Sequence, residues 1–564
     1  MGGLLLVLAF PSHDQWWWAP IGVAVLALAV RGRGIARGAA FGFVFGLGFF
    51  VPLLHWSGIY VGALPWLALA TLEALYLAVL GALLAPAWRA PGGAGPRALA
   101  MAGLWVGQEA LRDRTPFGGF PWGRLAFSQV DGPAVWWASV GGAPLVTFVI
   151  ALVGAGIAVS LAQVLDRVPE GLGSHLHLDW RAVTRDLPGT ARSAGRGLRV
   201  ASRCLHPVAL RDRVVAAPRT AGLLVWPVAA TVLVLVSGVA VPRSQATPPL
   251  VTVSAVQGNV EHPGLHTESA RREVLASHAE ATGVLADEAA LGTEAWPDLV
   301  IWPEDSSDID PLRDAKAAAT IQKAADAVNA PVVVGAVLQQ PPGHQSNASI
   351  VWWPAHTAHP GPGAQYVKRH PAPFAEYIPF RSFFRNFSDK VDLVRKDFVA
   401  GRSVGVLPVG QVKLGDIICF EVAYDGLVQD TVRHGANLLT VQTNNATFGY
   451  SDESAQQLAM SRLRAIETDR GVVHVSTVGV SALIEPDGSL EAYSGEFIER
   501  VLTDRLPLRT TRTLAVRLGT GPEWILTALG LLLALTGLSP VQRAGRRQWL
   551  RAVQSRKTPT STER

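Results

Sequence analysis

Cysteine is nearly missing from this chain of 564 residues, with only Cys204 and Cys419 present. A disulfide framework is therefore ruled out, and counting alone leaves open one cross-link between the pair. The two flank an apolar run, so they are expected on opposite sides of a membrane. Charge is scarce as well. Asp, Glu, Lys and Arg make up 16% of the residues, where a soluble protein carries roughly a quarter. The hydrophobic share is 49% and the mean hydropathy +0.26. This imbalance is uneven, because the apolar runs crowd the first third and the last fifty or so residues, while about 248–507 reads like an ordinary soluble stretch. A membrane protein with a large soluble domain is the class that fits.

Marks of several other classes are absent too. No basic stretch is interleaved with stacking aromatics, which argues against nucleic-acid binding. His175 and His177 have no further ligands at metal spacing, so no metal site is expected. The glycines at 92–95 precede no helix start with a lysine, so they form a connector and not a phosphate cradle. No internal repeat is visible. The first apolar run, 3–10, follows no positive charge and is succeeded by further spans, unlike a cleaved signal peptide.

What is present begins with apolar helices. A span needs roughly 20 mainly apolar residues, and runs near that length lie at 16–30, 39–55, 63–88, 98–111, 143–165, 221–241 and 525–538. Counting the short run at 3–10, which cannot span alone, eight helices are expected. Basic residues gather after every second one: Arg31, Arg33 and Arg37; Arg89 and Arg97; an Arg-rich loop 166–219; and a tail with Arg543, Arg546, Arg547 and Arg551. Positive residues stay in the cytoplasm, which puts the soluble domain outside. Arg112, Arg114 and Arg124 run against that rule. The expected division is 1–165 helices, 166–219 basic loop, 220–247 helix and linker, 248–508 soluble domain, 509–540 last helix and 541–564 basic tail. Within the membrane part, Glu109 has Arg112 at a helical neighbour spacing, and a structural pair is expected there. Glu73 has no partner nearby in sequence and receives no role.

The soluble part alternates strand-like runs (250–256, 298–302, 331–337, 348–353, 415–420, 436–443, 472–484) with helix-like ones (268–291, 313–328, 454–470). Such alternation indicates a layered α/β domain. Three segments could carry chemistry. In Leu414-Gly-Asp-Ile-Ile-Cys-Phe-Glu421 an apolar strand ends directly at a thiol. A free cysteine also packs as a small hydrophobe, so a nucleophile needs a neighbour that takes its proton. Glu304 ends Leu299-Val-Ile-Trp-Pro-Glu304, where the proline stops the strand and the carboxylate emerges as a candidate general base. Lys368 lies in a stretch made rigid by Pro371, Pro373 and Pro379, where it could face an oxyanion with Glu376 holding its ammonium.

Together these segments resemble the nitrilase superfamily with its Glu–Lys–Cys triad, and more closely the membrane-bound apolipoprotein N-acyltransferases. The ordered set comprises Gly119-Phe-Pro-Trp122, Val256-Gln-Gly-Asn259, Trp302-Pro-Glu304, Lys368 with Phe374-Ala-Glu-Tyr-Ile-Pro379, Ile418-Cys-Phe-Glu421, Asn444-Asn-Ala-Thr-Phe-Gly449 and Met460-Ser-Arg-Leu-Arg-Ala-Ile-Glu467. The resemblance implies a transmembrane bundle bearing an αββα sandwich. It implies Glu304 as base, Lys368 as oxyanion stabiliser and Cys419 as nucleophile, supported by Glu376, Glu421 and Phe420. Thr447, Phe448 and Trp122 would lie at the substrate entrance. Phe420 stands where the family usually has tyrosine, and Thr447 where it often has tryptophan, departures that bear on lipid preference and not on the triad. The implied reaction needs no cofactor or metal. It takes a phospholipid acyl donor and a diacylglyceryl-modified apolipoprotein acceptor, in a monomer in the bacterial cytoplasmic membrane. A membrane-tethered amidase or nitrilase, or a non-catalytic membrane scaffold, are the alternatives.

Overall fold

The computed structural model describes residues 1–166, 237–238, 249–260 and 268–538. Cys204, His175, His177, nearly all of the expected helix at 221–241, the Arg-rich loop beyond its first residue and the basic tail lie outside the described residues. Six helices open the chain: α1 (Gly2–Val7), α2 (Trp18–Val30), α3 (Ile35–Leu53), α4 (Ala63–Ala87), α5 (Ala94–Arg112) and α6 (Ala138–Leu165). A further apolar helix, Gly521–Thr536, returns after the soluble domain. Among the described residues, Ile35–Leu53, Ala63–Ala87 and Val135–Leu165 are long and apolar enough to cross a membrane. The others are shorter or, in α5, interrupted by Gln108, Glu109 and Arg112.

Small residues let these helices approach closely, since packing rather than hydrophobicity drives association in lipid. Gly38, Gly42 and Gly46 form a one-face stripe on α3 against α4. A Cβ on Gly42 would sit 2.0 Å from the Leu77 carbonyl oxygen. Gly103 of α5 meets Gly530 in the same way, and its Cβ would fall 2.4 Å from the Leu526 carbonyl.

The expected Glu109–Arg112 pair does not form. Arg112 reaches across to α4 and binds Glu73 at 3.0 Å, both side chains being buried. Glu109 turns the other way, accepting from the Leu125 amide at 3.0 Å and from Thr147 at 2.8 Å, with Arg124 at 3.5 Å. Sequence spacing favours partners on one helix, but a buried carboxylate on α4 has a stronger need of a cation. The three arginines that broke the positive-residue rule are thus all paired, since Arg114 binds Glu523 at 2.5 Å.

The soluble domain has two six-stranded sheets. One runs β12-β1-β2-β3-β4-β5 and the other β11-β10-β9-β8-β7-β6. Their strands are β1 (Leu250–Gln257), β2 (Leu299–Ile301), β3 (Val332–Leu338), β4 (Ser346–Trp353), β5 (Gly361–Val367), β6 (Val406–Val409), β7 (Val412–Ile418), β8 (Leu438–Thr443), β9 (Val472–Ser476), β10 (Ala482–Ile484), β11 (Leu490–Tyr493) and β12 (Arg500–Pro507). The sheets face each other over Val253, Ile301, Val333, Leu414, Ile418 and Val475. Helices Glu268–Leu291 and Ala315–Val328 cover the outside of the first. Helices Asp425–Arg433 and Glu453–Thr468 cover the second, and their far faces join the bundle's own core through Val428, Met460, Leu463 and Ile466. The α/β reading holds, with corrections. Strands β5, β6, β11 and β12 escaped the apolar-run criterion, because edge strands carry glycine, proline and charge. The run read as one strand at 472–484 is two, broken by the turn after Ser476.

Candidate active site

Strands β2, β5, β7 and β8 deliver the chemistry, for each stops just before a polar group of interest. β2 is followed by Trp302, Pro303 and Glu304, β5 by Lys368, β7 by Cys419 and β8 by Asn444. β7 and β8 run parallel, as do β2 and β3, so their carboxyl ends converge. Gln442 Nε2 donates to the Trp302 carbonyl at 2.5 Å and ties the two sheets together there.

Lys368 is buried, and its Nζ lies 2.9 Å from Glu304 Oε1 and 3.0 Å from Glu376 Oε2. An ammonium has three N–H donors; two are engaged and the third has no partner among the described residues. Burial alone would lower its pKa, but the carboxylates of Glu304 and Glu376 and the neighbouring Cys419 hold it well above the usual lysine range. Glu304 also accepts from Asn347 Nδ2 at 2.7 Å and, on Oε2, from the Asn444 amide at 3.0 Å. Asn347 bridges onward to Glu376 Oε1 at 3.0 Å, and the Ala372 amide caps Glu376 Oε2 at 2.6 Å.

Cys419 has φ 53°, a left-handed conformation that costs a non-glycine residue energy. The strain turns the chain sharply from β7 into the short helical turn Cys419–Ala423. Burial pushes the thiol well above its usual pKa, the Glu304 carboxylate adds to this, and Lys368 opposes it. The thiol therefore rests protonated, with the Glu304 carboxylate and the Lys368 ammonium both near enough to act on it. Glu421 fixes the geometry from behind. It accepts from the Ile418 amide at 3.0 Å, from the Arg369 and His370 amides at 2.7 and 3.0 Å, and from Tyr366 OH at 3.0 Å. One carboxylate thus fastens the lysine's segment to the cysteine's turn.

Of the remaining expected residues, Phe420, Trp122 and Phe448 meet in an aromatic wall against the bundle. Phe420 stacks on Phe120 and Trp122 with centroids 5.3 and 5.9 Å apart, and Trp56 packs on Trp122 and Phe448 at 5.1 and 5.0 Å. Trp122 donates to Gln456 at 2.6 Å. Thr447 stands apart from this wall, exposed on the neighbouring turn. Phe380, Phe383 and Phe387 are exposed on the loop that follows Pro379. Asn347, Gln457 and Thr443 were missed by the sequence reading. They are polar side chains in elements buried on nearly all sides, where no apolar periodicity marks them out, as with Gln457 on its helix. Among the described residues, no group of His, Cys, Asp and Glu could hold a metal ion.

Residues 2–156 match the family described as the apolipoprotein N-acyltransferase N-terminal domain, and residues 252–516 match carbon-nitrogen hydrolase. An apolipoprotein N-acyltransferase of Mycolicibacterium smegmatis is 38% identical over 546 residues, covering 95% of this chain and 84% of the relative. One from Azotobacter vinelandii is 27% identical, covering 89% and 87%. A nitrilase-superfamily amidase of Nesterenkonia aligns in structure over 47% of this chain at 16% identity, with a TM-score of 0.35.

Proposed function

The chain belongs to the apolipoprotein N-acyltransferase family, and on that premise we propose that Cys419, Glu304 and Lys368 carry out its acyl transfer. It moves an acyl chain from a membrane phospholipid to the α-amine of the lipidated N-terminal cysteine of apolipoproteins, in lipoprotein maturation. The observation that carries the residue assignment is the buried ammonium between two carboxylates, 2.9 and 3.0 Å away, at the strand ends where the thiol also stands.

In the first half-reaction Glu304 takes the thiol proton as sulfur attacks the phospholipid's ester carbonyl. The C–S bond forms, and the unengaged N–H of Lys368 meets the oxyanion. The intermediate collapses with cleavage of the C–O bond, and Glu304 returns the proton to the departing lysophospholipid. In the second half the acceptor amine attacks the thioester, a C–N bond replaces the C–S bond, and the amine proton passes by way of Glu304 to sulfur. Splitting the transfer in this way is what covalent catalysis offers. Glu376 keeps the ammonium in place, and Glu421 keeps lysine and cysteine in register. The wall of Phe420, Trp122 and Phe448 shields the thioester from water.

The protein acts as a monomer with about eight membrane helices in the cytoplasmic membrane, its domain 248–508 facing outward. Supporting this orientation, the loop ahead of α2 meets the soluble domain, where Ser12 bonds Asp452, and Arg31 follows the other end of α2, where it pairs with Asp166. A tethered amidase or a non-catalytic scaffold finds no support, because the family match runs through the helices as well. The test is intact mass after incubation with phospholipid. An added acyl mass is expected, removed by a diacylglyceryl peptide and absent in Cys419→Ala. A Cys419→Ala enzyme that still releases labelled lysophospholipid at the normal rate overturns the assignment.

A further inference from the structure

A buried polar chain also reaches the sulfur, and the mechanism above leaves it unused. Gln457, on the helix Glu453–Thr468, is fully buried and directs its Nε2 at Cys419 Sγ, 3.7 Å away. That direction is enforced. Its Oε1 accepts from Thr443 Oγ1 at 2.7 Å and from Asn445 Nδ2 at 3.1 Å. A flipped carboxamide would set its NH2 against Asn445 Nδ2, a donor held in place by its own bond to Glu453. Asn445 is anchored in turn, because its Nδ2 also donates to Glu453 and its Oδ1 accepts from Ser476 Oγ at 2.5 Å. Thr443 Oγ1 is 3.8 Å from the sulfur, but its single hydrogen serves the shorter bond to Gln457. Gln457 is therefore the side chain whose N–H is committed to sulfur.

We propose that Gln457 is a further catalytic residue, whose N–H stabilises negative charge on Cys419 sulfur both when it attacks the ester and when it departs from the thioester. This rests on Cys419 being the nucleophile. A neutral donor suits the task, because a second cation there would hold the thiolate too firmly for it to attack, whereas an amide hydrogen bond strengthens as charge develops. Lys368 serves the carbonyl oxygen and Gln457 serves the sulfur, so the two charges of the tetrahedral stage have separate partners. The bond is worth nothing to a neutral thioester, and its benefit falls on the steps that make or expel thiolate.

The experiment compares wild type, Gln457→Leu, Gln457→Glu and Gln457→His in the full-length, detergent-solubilised protein. Two readouts are taken: iodoacetamide alkylation of Cys419 against pH, and single-turnover release of labelled lysophospholipid. Losing a hydrogen bond to a charged atom should slow acylation by roughly 10- to 100-fold in Gln457→Leu. The alkylation midpoint should move about one pH unit upward or more. Gln457→Glu, nearly the same shape, should be as slow or slower, while Gln457→His, which retains an N–H, should recover part of the rate. If Gln457→Leu does not fold, the Glu and His variants carry the comparison. An unchanged alkylation profile with near-normal acylation in the Leu or Glu variant overturns the proposal. The two readings fail differently: a Cys419→Ala enzyme that still transfers acyl chains sinks the nucleophile assignment, whereas an inactive one beside an unaffected Gln457→Glu sinks only this one.

Discussion

Two buried clusters of charge, one under the soluble domain and one within it, are built from similar side chains and do different work. In the first, Arg124 meets Asp113 at 3.2 Å and Asp425 at 2.9 Å, and Arg464 meets the same Asp425 at 2.7 Å and also Glu467. Further guanidinium donors go to backbone: those of Arg464 to the Val422 and Ala423 carbonyls, and those of the nearby Arg112 to Phe120 and Trp122. A planar fork with five donors is suited to fastening several chain segments at once. In the second cluster the cation is a lysine, a compact charge with three donors, and one of them stays open. The thiol stands beside it on a strained turn. Guanidiniums spread over several segments make a clamp, and a single ammonium set beside a thiol makes a reaction site.

This contrast can be broken from either side. Glu304→Gln removes the proton acceptor but keeps the shape, and acyl-enzyme formation should fall by about 10²- to 10⁴-fold, read by single-turnover lysophospholipid release. Thermal stability should change little, and a large fall in melting temperature would show that the site cluster is structural too. Arg124→Leu attacks the clamp. It leaves Glu109, Asp113 and Asp425 buried without their shared cation, a loss of about 3–5 kcal/mol, read as a lowered melting temperature in detergent. Molecules that remain folded should keep their alkylation profile at Cys419.

How much of this was legible beforehand differs between the clusters. Each member of the Glu304, Lys368, Cys419 and Glu376 set announces itself by ending an apolar strand or sitting among prolines, and an ordered series of such signals survives translation into one dimension. The pairing of Arg112 with Glu73 had no such signal. Thirty-nine residues and a helix turn-around separate them, and only the crossing of α4 with α5 decides that they meet. Likewise the edge strands β5 and β12 lack the apolar runs that mark the inner strands, because one of their flanks has no ladder partner.

The smallest expected effect sharpens the comparison at Glu453. Burial, with the Glu304 charge adding to it, raises this carboxyl to about 8, against the Asn445 bond that lowers it. The folded state therefore holds a proton that the unfolded chain gives up near pH 4.3. Its contribution to stability is full below that value, declines as pH rises toward about 8, and then levels off. Glu453→Gln should flatten that decline and raise the melting temperature most at pH 8 and above. Equal shifts at pH 5 and pH 9 would show that the carboxyl is not held protonated.

By itself the chain's order of residues determined which segments are apolar enough to enter lipid, which strands are buried, and which acid, lysine and thiol terminate them, since these are local properties of composition and period. Tertiary structure alone decided which charges share a partner, that the second sheet's helices press on the bundle, and that Gln457 turns its N–H to the sulfur. Those depend on crossing angles and on which donors remain once neighbours are satisfied, quantities that come into being only when the layers pack.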